Sequence, residues 1–513
     1  MKNKTCLAII FAFAVVLYGW TLSFGYTYYE DNLVHEKAFQ NPPLSYFVET
    51  IESWNFYFRP LQNMLFSINT HLSGDLDVPW LFHLTNVLLF ALIGCALFRF
   101  LTQQKLRPKI AFWVSMIFCS HPLFVTPVAW IPACGDLLVT LFSLLAMISF
   151  VNYLERDYRW KDLVLTTLFV LLALFSKETA VALPLVFLAY FWFNSSDRKL
   201  RKPHWLLAVA LGAVGVLWVW LRSSMTSEWP LSYTLAERLY YVLNIPTALS
   251  LMVFPFQPET MSYFSGFKTL SGSVILGLLA VLLWTSEKIA KPIKKVSIVW
   301  FLGFLLPCFI GIPGSGCEYL AHRFLLPAVA VFWLLATLAN EAIAEEQHHR
   351  FRQGAIGLIA VFSLFTIVFS RHYASPESFH AAAIKANPQN EIALTNRGYY
   401  RSLHNNMPGA EADLLASLRL QPNNYGALMN VAAVKKELGK VDEALAYYNL
   451  ILSLHPNDLN AYFRRAVVKI ELGDFYGALE DLEVVLHHQP NNEYVRHGRD
   501  NLLSFLQEHQ ISP

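Results

Sequence analysis

Long apolar runs with brief polar breaks fill the chain up to about residue 372, and from about 375 it becomes polar, helix-forming and punctuated by proline. A helix needs ~20 apolar residues to cross the hydrocarbon core of a bilayer. Stretches approaching that length are about 6–25, 80–100, 109–121, 136–154, 161–176, 180–194, 204–222, 273–287, 296–313, 319–340 and 353–371, about eleven spans in all. The first follows Lys2 and Lys4 and has no small-residue cleavage site before Tyr28 to Asp31, so it reads as an uncleaved span rather than a secretory signal. The apolar run 163–193 is too long for one span and carries Lys177 and Glu178 at its middle. Each charge there would cost ~2.5–3.5 kcal/mol inside the bilayer, and a hairpin that lifts Ser176-Lys177-Glu178 to the surface removes the cost.

The basic residues set the orientation. Arg99, Lys105, Arg107 and Lys109 share one loop, Arg156, Arg159 and Lys161 another, Arg198, Lys199, Arg201 and Lys202 a third, and Lys288, Lys291, Lys294 and Lys295 a fourth. All four fall on the cytoplasmic side if the N-terminus is inside, which puts the odd-numbered loops and the C-terminal segment outside. The stretch 239–256 is apolar enough to cross, and crossing would reverse everything after it; Pro246 and Pro255 favour a re-entrant or interfacial segment instead. The first outer loop, 26–78, is far longer than a connector needs. It is acidic and rich in aromatics, which predicts amphipathic helices lying on the membrane surface.

Beyond the boundary, Pro388, Pro422, Pro456 and Pro490 recur every 34 residues, Leu438-Gly439 returns as Leu472-Gly473, and Ala410, Ala444 and Ala478 are in phase. That period marks the tetratricopeptide (TPR) repeat, a pair of antiparallel helices. Three units span 389–490, a half-unit precedes them from Pro376, and a closing helix follows over 491–509. The expected fold class is therefore all-α: a polytopic helical membrane domain over 1–372 and a TPR α-solenoid over 373–513, on the outer side. Stacked helix pairs leave a concave groove of the kind that holds a polypeptide, although a scaffold with no ligand would carry the same repeats.

Composition sharpens the picture. The chain is 55% hydrophobic and 15% charged, against about 25% charged in soluble domains. A net charge of +2 offers nucleic acid no general attraction, so no nucleic-acid partner is expected. The six cysteines form no CxxC pair or Cys/His metal spacing and read as small apolar residues.

Charges at the outer ends of spans are the candidates for chemistry, because they are costly near lipid. They are Glu30 and Asp31 after the first span, Arg59 in the first loop, His83 with Asn86 on one face of the second span, His121 and Asp136 around the second outer loop, Lys177 and Glu178 in the third, and Glu318, His322 and Arg323 at the start of the tenth span. Singly each has a plainer reading, as a solvated loop residue or, for His83 and Asn86, a helix–helix hydrogen bond. Gathered on one face they suit group transfer from a lipid phosphate. A carboxylate takes the proton of an acceptor hydroxyl or holds a divalent metal, and cations grip the leaving phosphate.

The order of motifs resembles the GT-C superfamily of membrane glycosyltransferases, and within it the transmembrane-and-TPR proteins and their bacterial relatives. The acidic pair in YYEDN comes first, followed by FRPLQNMLFSINTHLSG leading into PWLFHLTNVLLF, then HPLFVTPVAWIPACGDLLVTLF, LLALFSKETA and HRFLLPA, with the repeats at the end. The resemblance implies a polyprenyl-phosphate-linked sugar as donor, transfer on the outer or lumenal face, and a catalytic base at Asp31 with Glu30 beside it. It further implies a divalent metal, magnesium or manganese, as a cofactor to be tested at Asp31, donor-phosphate and site-ordering roles for Lys177, Glu178 and Arg323, and ordering of the first loop by Arg59. Thr126 and Ala133-Cys134-Gly135 stand where the family usually has an acid and an arginine, and His322 where it has an acid before the arginine. These departures leave the sugar and the metal unassigned and leave room for an inactive member. The expected partners are membrane lipid, a lipid-linked sugar, and an acceptor protein or peptide held by the TPR groove. The rival readings are a surface-polysaccharide polymerase or ligase and a non-catalytic TPR scaffold for envelope assembly. A bacterial inner membrane with a periplasmic TPR segment fits best, with an endoplasmic reticulum membrane and a lumenal TPR segment as the alternative.

Overall fold

The described part of each of the eleven expected apolar stretches is largely helical in the computed structural model of the chain, which describes residues 2–27, 42–47, 57–73, 79–194, 200–225, 244–253, 260–261, 266–287, 289–309 and 321–511. The membrane unit contains α1 (Asn3–Tyr18), α2 (Pro60–Ser73), α3 (Trp80–Gln103), α4 (Pro108–Ser120), α5 (Val125–Ala129), α6 (Cys134–Glu155), α7 (Trp160–Ser176), α8 (Leu183–Asn194), α9 (Lys202–Met225), α10 (Asn244–Val253), α11 (Gly266–Thr285), α12 (Lys291–Leu305), α13 (Leu325–Ala342) and α14 (His348–Ser370). Among the described residues, six segments are long and apolar enough to cross a membrane unaided. A seventh results if α4 and the turn-plus-helix Pro122–Ala129, bent by 53°, count as one span. Shorter helices carry the other expected spans; α7, with 17 residues, is about 26 Å long. The chain is an integral, multi-pass membrane protein.

Local chemistry explains the breaks. At Lys177 the backbone turns extended (φ −162°, ψ 144°), splitting the long apolar run between α7 and the 3-10 turn Glu178–Ala182 where a charge would otherwise sit in the middle of a span. His121 is also extended, as a residue before proline prefers, and Pro122 ends α4. The ten residues of α10 reach about 15 Å, half the hydrocarbon thickness, so that described helix alone does not cross. Of the first outer loop, the described helical parts are a 3-10 turn, Ser45–Phe47, and α2. Phe66 of α2 packs with Phe82, Ile131, Cys134 and Leu138, while Leu72 is exposed.

The unit is layered around α6, 78% of whose apolar stretch is buried, against 17% for α9, which keeps most of its surface for lipid. Phe90 on α3 meets Tyr18, Phe118 and Phe124, and Phe100 meets Trp300 and Trp333, so aromatic contacts bind α1, α3, α4, α12 and α13. At one end of the bundle Arg107 donates to the carbonyls of Asn340 and Ile343, and Gln103 donates to Ile148 O and Asn152 Oδ1. The start of α6, the end of α7, the end of α9 and the start of α13 meet at the other end.

The second compact unit, Pro376–Pro513, holds α15 (Pro376–Ala386), α16 (Glu391–Leu403), α17 (Met407–Leu420), α18 (Tyr425–Glu437), α19 (Val441–Leu454), α20 (Leu459–Glu471), α21 (Phe475–His488) and α22 (Glu493–Glu508). The 34-residue phase is written into its caps. Asn390, Asn424, Asp458 and Asn492 each accept a backbone N–H in the first turn of α16, α18, α20 and α22. Gly439 and Gly473 (φ 72° and 79°) turn the chain after α18 and α20, and Asn405 (φ 59°) does so in the first repeat. Ala410, Ala444 and Ala478 are fully buried, as are Ala432 and Ala466, which lets paired helices approach.

Candidate active site

Asp136 lies in the first turn of α6 and is buried, a favourable place for a carboxylate near the positive end of a helix. Both its oxygens accept from Lys177 Nζ, at 2.7 and 2.6 Å. His322 Nε2 is 3.6 Å from Asp136 Oδ2, and the Trp130 ring lies 5.1 Å from the His322 ring. Alongside, Arg59 donates from Nε to Glu178 Oε2 at 3.1 Å, with its NH2 nitrogen equally close. The Arg59 guanidinium also stacks 4.0 Å from the Tyr57 ring. Burial works against its charge, but the Glu178 carboxylate, Tyr57 and Asp136 together outweigh that and hold Arg59 above the usual guanidinium value. Two ion pairs on consecutive residues of one hairpin, Lys177 and Glu178, thus tie it to α6 and to the segment before α2.

Close backbone approach makes this possible. A Cβ on Gly135 would fall 2.2 Å from Gln62 Oε1 and 3.3 Å from Ser176 O, so a side chain there would displace the Gln62 amide and crowd the end of α7. Gln62 donates to Pro132 O at 3.3 Å, fastening α2 to the turn ahead of α6. The ion pairs border a cleft of about 200 Å³, lined by Tyr57, Arg59, Lys177, Glu178, Trp218 and Arg323 among others.

The structure thus brings together Arg59, Asp136, Lys177, Glu178, His322 and Arg323. It does not bring in the other two histidines. His83 is buried on α3, edge-on to Phe24 at 6.0 Å. His121 is committed to the bend after α4, its Nδ1 accepting from Leu123 N and its Nε2 2.9 Å from Met252 O, amid Phe124, Phe332 and Phe362. Among the described residues neither joins the ion-paired cluster, because the rotation of α3 and the turn at Pro122 point them into packing contacts. Asn86 likewise donates to Val128 O and Trp130 O as a helix-to-loop strut. Glu30, Asp31 and Glu318 lie outside the described residues. Among the described residues no three His, Cys, Asp or Glu are grouped as metal ligands, and Asp136 and Glu178 each face a cation. Sequence reasoning passed over Gln62, Trp130 and Trp218; nothing in their spacing marked them.

The TPR unit has its own concavity, about 500 Å³, bordered by Tyr399, Leu403, Tyr425, Met429, Asn430 and Arg464. Its repeats are braced by ion pairs in phase: Arg397 with Asp413, and two periods later Arg465 with Asp481, both through two short bonds. In the middle repeat Val431 and Tyr447 take those positions with an apolar contact.

Comparison with known proteins follows the same division. The family described as Dolichyl-phosphate-mannose-protein mannosyltransferase matches residues 60–220, and the Tetratricopeptide repeat matches 432–501. The Protein O-mannosyl-transferase TMTC2 of Mus musculus is 28% identical over 197 residues, 38% of this chain and 23% of the relative. The Protein O-mannosyl-transferase TMTC1 of Mus musculus is 26% identical over 309 residues, 55% of this chain and 32% of the relative. The chain thus spans a third or less of the length of these relatives. Apolar helices around an ion-paired cleft, the mannosyltransferase match over residues 60–220 and the repeat match over 432–501 make the chain similar to membrane glycosyltransferases of the GT-C type that carry a TPR array.

Proposed function

We propose that the chain transfers a sugar from a polyprenyl-phosphate carrier to a hydroxyl of an acceptor protein, at the outer or lumenal face of its membrane. The observation that carries this reading is the gathering of Arg59, Asp136, Lys177, Glu178, His322 and Arg323 at one end of the bundle, around a cleft. Such positioned charges stabilise a departing phosphate best where water is excluded. In the proposed step the acceptor oxygen attacks the anomeric carbon, the bond from that carbon to the phosphate oxygen breaks, and the configuration inverts. The acceptor proton passes to Asp31, with Glu30 beside it, and the electron pair leaves on the lipid phosphate, held by Lys177 and Arg323. Asp136 holds Lys177 in place and carries His322 behind it; Glu178 does the same for Arg59, which orders the first loop. A metal, if Asp31 holds one, would supply further activation of the acceptor hydroxyl. The domain roles follow: residues 1–372 perform transfer, and the TPR groove over 373–513 holds the acceptor polypeptide. Mannose is the sugar to try first, because the matched family's description and the relatives' names specify it.

The test is transfer from polyprenyl-phosphate mannose to peptide by the purified chain in lipid. Asp31→Asn is expected to lower the rate by roughly 10²–10⁴-fold, the usual contribution of a general base. Full activity in that variant would remove Asp31 from the mechanism.

A further inference from the structure

Arg222 lies at the end of α9 that shares the cleft, and it was not among the residues expected from sequence. Its position is unusual on three counts. Positive residues collect at the other end of these spans, where the four basic clusters are, so a cation at this end runs against the prevailing bias. The helix that carries it is the most lipid-exposed of the long spans, with Val216, Val219 and Trp220 all more than half exposed. Yet Arg222 lies on the side that lines the cleft, one turn beyond Trp218, with its guanidinium carbon 5.8 Å from the Trp218 ring. Trp218 is itself fixed, buried and donating from Nε1 to Leu174 O at 3.0 Å.

Among the described residues the cleft lining holds four cations, Arg59, Lys177, Arg222 and Arg323, and one carboxylate, Glu178. Val181 and Pro307 complete an apolar margin beside α9. At about 200 Å³, the space is smaller than the ~300–1,000 Å³ that encloses a drug-sized ligand, so it suits an anionic headgroup whose apolar remainder lies outside.

We propose that Arg222 is a further donor-binding residue, through which α9 closes the cleft on its lipid-facing side and holds the phosphate of a polyprenyl-phosphate lipid. The inference rests on the function proposed above and adds a phosphate contact from a helix at the rim of the bundle. Trp218 fixes the guanidinium's direction, and the exposed flank of α9 leaves the chain of the lipid in the bilayer.

The experiment is binding of polyprenyl phosphate to the full chain in nanodiscs, read by native mass spectrometry, with phosphatidylglycerol and inorganic phosphate as separate ligands. Wild type should prefer polyprenyl phosphate. Arg222→Gln should weaken that binding about ten- to a hundredfold, as for loss of a hydrogen bond to a charged group. Arg222→Lys should restore most of it, and thermal unfolding of both variants should match wild type. In transfer assays Arg222→Gln should raise the donor KM with kcat little changed, whereas Asp31→Asn should bind donor normally and fail to transfer. Undiminished binding in Arg222→Gln, with wild-type transfer intact, overturns the role of Arg222 and leaves the proposed function standing. Equal wild-type binding of phosphatidylglycerol or phosphate overturns the specificity claimed. No wild-type binding of polyprenyl phosphate at all overturns both readings. Should Arg222→Gln unfold, the Arg222→Lys and Arg222→Met pair decides, since a purely packing role predicts that Met, not Lys, preserves binding.

Discussion

The buried pair of Asp136 and Lys177 sets the energetics of the site. Two charges withdrawn from water repay their desolvation only when the geometry is good, and breaking such a pair by removing one partner typically costs about 3–5 kcal/mol. Both oxygens of Asp136 receive Lys177, and His322 stands at the same carboxylate, so its geometry is close to saturated. Lys177→Met alone should therefore destabilise the membrane unit by about 3 kcal/mol or more, while Asp136→Leu with Lys177→Met should recover much of that, as measured by thermal unfolding in detergent. Additive losses would mean that the pair is not coupled. Lys177, Glu178 and Asp136 were legible as outer-end charges because their lipid cost forces them to a surface. Their pairing was not, since charge and depth are written in one segment while the partner comes from another.

Among the elements, the TPR helices show how far a periodic sequence specifies itself. The cap at Asn424, the turn at Gly439 and the buried Ala444 all follow from the 34-residue phase. Gly439 has φ 72°, a conformation that costs an ordinary L-residue about 1–2 kcal/mol. Gly439→Ala should lower the stability of the repeat array by that amount, and Gly439→Asn by clearly less, because Asn405 already holds the same turn in the first repeat. Chemical denaturation followed by helical circular dichroism would read the difference, and equal losses for Ala and Asn would show that backbone conformation is not the cause. The phase also contained the Arg397–Asp413 and Arg465–Asp481 braces, which went unread because the middle repeat replaces them with Val431 and Tyr447. In the membrane unit, α7 and α8 were predictable from the hairpin at Lys177, whereas the 53° bend after α4 followed only in outline from His121-Pro122.

For the whole molecule, the distribution of basic loops predicts which side each end of the bundle occupies. The ion-paired cluster and the TPR segment should both be outside if the N-terminus is inside. Single cysteines placed at Asp474 and at Lys105, in a background without the native cysteines, should be labelled from the outer side for Asp474 only by a membrane-impermeant maleimide. The reverse pattern would mean that an extra crossing, such as one through 239–256, inverts the chain. Sequence alone determined the all-α class, the apolar helices and the repeat period, because hydrophobic run length and period are local properties of the chain. Tertiary structure alone decided that Asp136 meets Lys177 and His322, that Arg59 meets Glu178, that His83 and His121 turn into packing, and that Arg222 lines the cleft. The physical reason is that a run of residues fixes how deep a side chain sits along a span, but its rotation about the helix axis and its neighbours depend on how all the helices pack together.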